Sequence, residues 1–357
     1  MAGAVFILGA GASAHAGAPL MSDFLDRAGA LYRSGEEAFG AAYRRAYELV
    51  EKGRAALQMA HSKASLDISD FEEVFDAFEM AALVGRLGEL TPEEVERLPT
   101  AMRELIEATI EDGVRLAVND GQRQASAPYL QFAEMLRKVY ERDGGWPTVV
   151  TFNYDLLLDY ALYASSTPYS YCLEGQPGPS LKLLKLHGSL NWFRCRKCEA
   201  LGSRSLHHLL ARTFPAPGSE FWRLKFSAKT VQSSKCPKCQ GRELELMLVP
   251  PTWSKGQFQK ALRPVWTACA TALSTAETIV VCGYSFRTSD SFFRHLYAVG
   301  SVGPPTLKRF WVLCKDPDPE LRGRFERVVG PQVRGGFRVE NVLFEEAAAY
   351  LRRELRL

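Results

Sequence analysis

The sequence predicts an α/β protein: a Rossmann-like parallel sheet core with a large helical insertion and a small four-cysteine module. Three observations predict it. An apolar β-type run, Val5-Phe6-Ile7-Leu8, leads straight into a glycine turn, Gly9-Ala10-Gly11-Ala12-Ser13. Three later β-type runs, at 148–152, 181–186 and 278–282, also end in small or polar residues. Two C-x-x-C pairs, Cys195/Cys198 and Cys236/Cys239, stand a few dozen residues apart.

The glycine turn comes first. A buried strand running into such a turn is how α/β proteins bring backbone N–H groups up to a phosphate. Glycine suits it because a Cβ would block close approach of a pyrophosphate. A third small turn follows at Gly17-Ala18-Pro19. The acid that ordinarily ends a second strand roughly 20 residues on, where it holds a ribose, is missing. The chain instead enters a long helical region, with no further β-run expected before residue 146.

Composition sets the class. With 357 residues, 46% of them hydrophobic, the chain can bury a large core and carry appended modules. A formal net charge of +3 gives no global attraction to nucleic acid or membrane, and no apolar run approaches the ~20 residues of a membrane span. The N-terminus has no basic segment, since the first arginine is Arg27, so its apolar run reads as a strand and not a signal peptide. A cytoplasmic protein is expected. In that compartment paired C-x-x-C knuckles suggest a closed, structural zinc site with four thiolate ligands.

Residues 22–145 read as a helical insertion. Ser22-Asp23 can cap a helix carrying Phe24, Leu25, Ala28 and Leu31. Ser69-Asp70 can cap one with Phe71, Val74, Phe75 and Phe78 at helical spacing. Thr91-Pro92-Glu93-Glu94 combines a cap, an N1 proline and acids facing the dipole. A further helix spans Pro128 to Tyr140, and Gly144-Gly145-Trp146-Pro147 ends the block, which could form a lid or an oligomer surface.

The core resumes over 146–192. Thr148 to Phe152 is a strand with Asn153-Tyr154-Asp155 at its end, the place where open parallel sheets bind ligands. The same residues also suit an Asx turn capping a helix over 156–163. Leu181 to Leu186 ends in His187-Gly188-Ser189-Leu190-Asn191, and a histidine there is a candidate general base. The zinc module covers 193–243. Its stretch from Arg194 to Arg242 holds eleven Lys or Arg against Glu199 and Glu220, which reads as a solvated face or as a docking face for a partner or a nucleic-acid backbone. His207 and His208 are placed on its surface.

Residues 244–357 complete the core. Leu244–Val249 is strand-like, and Pro250-Pro251-Thr252-Trp253 an irregular loop. A helix spans Phe258 to Leu273. The strand Thr278 to Cys282 ends in Gly283-Tyr284-Ser285-Phe286, after which Ser289-Asp290 can cap a helix carrying Phe292, Phe293 and Leu296. Arg309–Leu313 is a strand, and Phe344 opens a last helix to about Leu355.

Taken together these motifs resemble the sirtuin superfamily, and more closely its bacterial sirtuin-like branch, many of whose members are NAD-consuming antiviral defence proteins. The likeness lies in residues 4–21, 148–155, 183–192, 195–239 and 278–290. It implies that Gly9, Ala10, Gly11 and Ser13 cradle the phosphates of NAD, with Gly17 and Pro19 also in the cofactor-binding set. It implies that Asn153 sits by the nicotinamide ribose, Asp155 faces the nicotinamide amide, and His187 acts as base. Gly283 and Ser285 would contact the adenosine half, and the paired cysteines would hold the family's structural zinc. Two departures bear on the reaction. Deacylating sirtuins follow their Gly-Ile-Pro turn with acidic-Phe-Arg, where this chain has Leu20-Met21-Ser22-Asp23-Phe24; their Phe-Gly-Glu segment after the zinc module is replaced by Leu248-Val249-Pro250-Pro251-Thr252-Trp253. Both weaken the acyl-lysine reading and leave the NAD pocket intact. The function expected is hydrolysis of NAD to nicotinamide and ADP-ribose. The alternatives are NAD-dependent protein-lysine deacylation and a non-catalytic module that senses NAD or ADP-ribose and docks a partner. Depletion of NAD would need restraint, by homo-oligomer formation or a partner protein.

Overall fold

A computed structural model describes residues 3–34, 40–59, 63, 65–174, 178–210, 218, 220–223, 235–250, 258–286, 291–304 and 306–357. Its centre is a seven-stranded, wholly parallel sheet: β1 (Gly3–Leu8), β4 (Thr148–Thr151), β5 (Tyr169–Ser170), β6 (Leu181–Lys185), β11 (Ala276–Cys282), β12 (Arg309–Cys314) and β13 (Phe337–Asn341), in the order β13-β12-β11-β1-β4-β6-β5. β1 lies in the middle, and Val5 to Leu8 bond to β4 on one side and β11 on the other. β1, β4, β6 and β11 are buried on both faces, which is why they read as largely apolar runs. The chain order reverses at β1, so the carboxyl ends of β1, β4 and β11 open onto a switch-point crevice.

The helices are α1 (Phe24–Ser34), α2 (Gly40–Gln58), α3 (Phe71–Val84), α4 (Pro92–Gly113), α5 (Ala127–Asp143), α6 (Leu157–Ala164), α7 (Leu206–Leu210), α8 (Gln259–Ser274), α9 (Ser291–Gly300), α10 (Pro319–Glu326) and α11 (Phe344–Leu355). Two of the start signals act as read, whereas the Asp23 carboxylate turns back to the Leu20 N–H and to Arg27. Asp70 accepts from the N–H groups of Glu72 and Glu73, and Thr91 with Glu94 forms a reciprocal capping box. The Ser289-Asp290 cap falls outside the described residues, as do Pro251, Thr252 and Trp253 of the irregular loop.

Two features depart from the sequence reading. The stretch 22–145 is not helical throughout: β2 (Arg115–Asn119) and β3 (Gln122–Arg123) form a hairpin, and β2 also pairs with β9 (Phe221–Arg223) from the basic insert. In addition, α5 lies on the core sheet itself, with Phe132 edge-on to Phe6 of β1 at 5.6 Å. The stripe Phe71, Val74, Phe75 and Phe78 is fully buried, so it is core, as its spacing implied. A three-stranded antiparallel sheet, β10-β7-β8, comprises β7 (Gly188–Cys195), β8 (Leu201–Ser203) and β10 (Leu244–Leu248). It carries the four-cysteine module.

The loops after β1 and β11 touch backbone to backbone. A Cβ at Gly9 would lie 2.6 Å from the carbonyl oxygen of Gly283, and one at Gly283 only 2.3 Å from the nitrogen of Ala12. Gly283 also has φ +61°, a conformation that costs a side chain about 1–3 kcal/mol. Gly283→Ala is therefore expected to destabilise the chain by at least about 2 kcal/mol, measured by denaturant unfolding; unchanged stability would show that the two loops can part.

Candidate active site and four-cysteine centre

A cleft of about 380 Å3 opens over the carboxyl ends of β1, β4, β6, β11 and β12. Its floor is built from strand ends: Ala10 and Gly11 after β1, Phe152 to Asp155 after β4, His187 after β6, Gly283 to Ser285 after β11, and Cys314 with Lys315 after β12. Its roof comes from the insertion. Leu20, Met21, Ser22 and Phe24 meet Phe71 and Glu72 of α3 and Ile106 and Ile110 of α4.

Eight of the sequence-predicted residues meet here: Ala10, Gly11, Pro19, Asn153, Asp155, His187, Gly283 and Ser285. Gly9, Ser13 and Gly17 do not line the cleft. Gly9 lies beneath it against Gly283. Ser13 is fully buried. Gly17 has φ +87° and turns toward the end of α4, where a Cβ would meet the Gly113 carbonyl oxygen at 2.4 Å. The glycines of the first turn are thus required by neighbouring backbone before any phosphate is considered. Most of that turn's N–H groups are also engaged: Gly9 with Cys282, Gly11 with Gly283, Ala12 with Gly9 and Ser13 with Ala10. Among the described residues only the Ala10 N–H of this run has no such acceptor.

Ser13 has a different role. Its hydroxyl donates to Asp155 Oδ2 at 2.7 Å and receives Asn153 Nδ2 at 3.0 Å. With its one proton given to Asp155, it accepts from the Tyr129 hydroxyl of α5, 2.7 Å away. Asn153 Nδ2 also donates to the Gly9 carbonyl at 2.9 Å, and Asp155 Oδ1 accepts from Leu157 N–H at 2.9 Å. Asp155 therefore makes the Asx turn and faces the cleft at once. Burial pushes its carboxyl above the usual range, against the pull of Lys185. Burial likewise drives the Tyr129 phenol well up, so it remains a donor.

Lys185 lies one layer deeper, 1% exposed. Its Nζ donates to the Asp155 carbonyl at 2.5 Å and pairs with Asp159 at 3.0 Å. Asp159 also accepts from the hydroxyl of Tyr171, which Asn191 of β7 contacts at 3.0 Å. His187 is buried between aromatic rings, edge-on to Phe152 at 5.2 Å and tilted against Tyr154 at 6.1 Å. Phe152 in turn stacks on Tyr284 at 4.3 Å.

Sequence reading missed Tyr129, Lys185, Asp159 and Tyr171; it allowed the helical block as a lid without naming the residues that roof the cleft. For Lys185 a signal existed: a charge inside the apolar run Leu183-Leu184-Lys185-Leu186 must be paired if the run is buried. Tyr129 and the individual roof residues had none, because tertiary packing alone brings them over the strand ends.

Cys195, Cys198, Cys236 and Cys239 converge, their four sulfurs all within 4.8 Å of one another. Cys195–Cys239 and Cys198–Cys236 are each 3.6 Å apart. A tetrahedron with Zn–S bonds of about 2.3 Å has edges of about 3.8 Å, so the donor set and spacing fit zinc. Backbone N–H groups of Cys239 and Lys238 pull the Cys236 thiol down to about 7, toward the thiolate a metal requires. Phe193 and Leu244 pack beside the cysteines as a small separate core.

No protein-family model matches the chain, and no curated protein matches it. Among solved structures it is similar to Sir2 in complex with the inhibitor EX-527, 2'-O-acetyl-ADP-ribose and a deacetylated p53 peptide, at 13% identity and a TM-score of 0.42, covering 99% of this chain and 94% of that one. It is also similar to a Sir2 homolog–NAD complex, at 16% and 0.43, covering 99% and 89%. A third is Sir2Tm bound to a propionylated peptide, at 15% and 0.42, covering 99% and 93%. At these values the likeness assigns neither a family nor an activity to this chain.

Two outcomes are expected. The purified chain should carry about one zinc per molecule by elemental analysis, and chelation or Cys236→Ser should lower its melting temperature by several degrees; a metal-free chain melting unchanged would refute this. For Asp155 the sign follows from the raised native carboxyl. Stability conferred below the unfolded value, near 3.8, is lost as pH rises through the higher native value. Asp155→Asn should remove that decline when unfolding is measured across the acid range.

Proposed function

We propose that the chain hydrolyses the nicotinamide N-glycosidic bond of NAD, giving nicotinamide and ADP-ribose. The observation that carries this reading is the convergence of Asn153, Asp155 and His187 on one roofed cleft at the switch point. The motif resemblance supplies the substrate class.

In this reading the pyrophosphate lies by Ala10 and Gly11, Pro19 walls the ribose side, and Gly283 and Ser285 meet the adenosine half. The nicotinamide ribose lies beside Asn153. Because Asn153 Nδ2 already donates to Gly9 and Ser13, its Oδ1 is the atom left to hold a water. Asp155 accepts from the nicotinamide amide. The water oxygen bonds to C1′ as the C1′–N bond breaks, through an oxocarbenium-like state. The bonding pair neutralises the pyridinium nitrogen, so the leaving group needs no acid. The water's proton passes to His187 and then to solvent. Phe71, Ile106 and Ile110 keep bulk water out of the site.

The resemblance extends the proposal to bacterial antiphage defence by NAD depletion. Such an activity needs a trigger, supplied by a partner protein or by self-assembly. No helix among the described residues is long and apolar enough to cross a membrane.

Incubation with NAD alone should release nicotinamide and ADP-ribose in equal amounts by chromatography. His187→Ala and Asn153→Ala, folded by circular dichroism, should each slow this at least ~100-fold. Consumption only when an acyl-lysine peptide is present would replace hydrolysis with deacylation. NAD bound by calorimetry but never consumed would make the site a sensor.

A further inference from the structure

A second cavity, of about 620 Å3, lies behind the Gly17 turn, where the first loop of the core, the helical block and the basic insert meet. Its volume is that of a small-molecule site. Three arginines from three separate elements line it: Arg27 of α1, Arg115 of β2 and Arg223 of β9. Asp112 is the one acid in its lining.

The charges are placed against their own stability. Arg115 and Arg223 are register partners on neighbouring antiparallel strands. Like charges directly opposite each other repel and destabilise a strand pair. Asp112 approaches Arg223 at 3.2 Å. Arg27 holds Asp23 at 2.7 Å and caps the Gly17 carbonyl at 2.7 Å. Arg115 has no ion pair among the described residues. The cavity wall also includes Thr109, 2% exposed, whose hydroxyl meets no partner in good hydrogen-bond geometry and has only the Tyr43 phenol near enough to act on. Opposed guanidiniums beside an unsatisfied hydroxyl, in a concave space, suit a compact polyanion that accepts several hydrogen bonds at once.

We propose that this cavity binds a phosphate-bearing small molecule, with Arg115 and Arg223 as the paired cations and Thr109 as a buried donor. This narrows the basic face of the insert from a general docking surface to a pocket. A nucleic-acid backbone lies along an open basic stripe, whereas here the three arginines line one concavity, Arg115 at its exposed rim. The proposal does not rest on NAD hydrolysis; because NAD also carries a pyrophosphate, the Arg115→Ala variant, which lies outside the cleft, tells the two sites apart.

The test uses the full chain with inorganic pyrophosphate as probe, by calorimetry and thermal melting at constant ionic strength. Pyrophosphate should bind and raise the melting temperature well beyond an equal ionic strength of chloride. Arg115→Ala should weaken binding at least tenfold, and Thr109→Val severalfold. Without pyrophosphate, Arg115→Ala should melt no lower than the wild type, because it removes the opposed charge; a purely structural arginine would lower it. His187→Ala, in the cleft, should bind pyrophosphate unchanged. Equal affinity in Arg115→Ala, loss of affinity in His187→Ala, or a response no larger than that to chloride would each overturn the proposal. So would binding of a single-stranded oligonucleotide by a chain that ignores pyrophosphate.

Discussion

The hydroxyl of Ser13 is the point on which the carboxyl edge of the sheet depends. It has one proton and two lone pairs, and all three are used: the proton toward Asp155, the lone pairs toward Tyr129 and Asn153. Those three partners come from two elements, the loop after β4 contributing two and α5 one. A buried polar group with every bond satisfied fixes its neighbours tightly, and the same group half satisfied would be costly. Asn153 is thereby held with its amide nitrogen turned down toward the sheet. The side chains exposed to the cleft owe their orientation to an atom that does not reach it.

Beneath this lies the pair Lys185–Asp159, both nearly sealed from water. A buried ion pair is weak evidence for stability, since desolvation offsets most of the attraction. Its geometry gives it another value. Lys185 also holds the Asp155 carbonyl, and Asp159 holds Tyr171, which reaches Asn191 on the first strand of the four-cysteine sheet. One chain of polar contacts therefore runs from the cleft floor to the strand that ends in Cys195. The metal module and the cleft share a wall as well as a sequence boundary.

Much of this was legible in the sequence, for definite reasons. β1, β4, β6 and β11 read clearly because burial on both faces makes a strand apolar throughout. α4 read clearly because its start is chemically marked at Thr91, Pro92 and Glu94. The hairpin β2–β3 went unread although Asp120-Gly121, both at positive φ, is a strong two-residue turn signal. α2 was hard to see because its buried residues Tyr43, Ala46, Val50 and Leu57 are interleaved with many charges. At the site, residues at strand ends were legible because topology alone sends them to one edge. A lid from the helical block was one of two readings, but its residues were not legible, and neither was the destination of Gly17, whose small size serves contact with Gly113. Motif spacing specifies which residues meet far better than which atoms they present.

The position of β1 bears on how the chain is made. Its two neighbours are β4, beginning at Thr148, and β11, beginning at Ala276. β1 leaves the ribosome before either neighbour and thus waits for about 270 further residues before its second edge is paired. Until then an apolar strand in the middle of the future sheet exposes an open row of N–H and C=O groups, the template on which nascent chains misassociate. The helical block, rich in local contacts and synthesised directly after it, is in place to fold early and to shelter that strand through Phe132 of α5, which packs on Phe6. A segment that roofs the mature cleft would then serve first as a cover for an unfinished core.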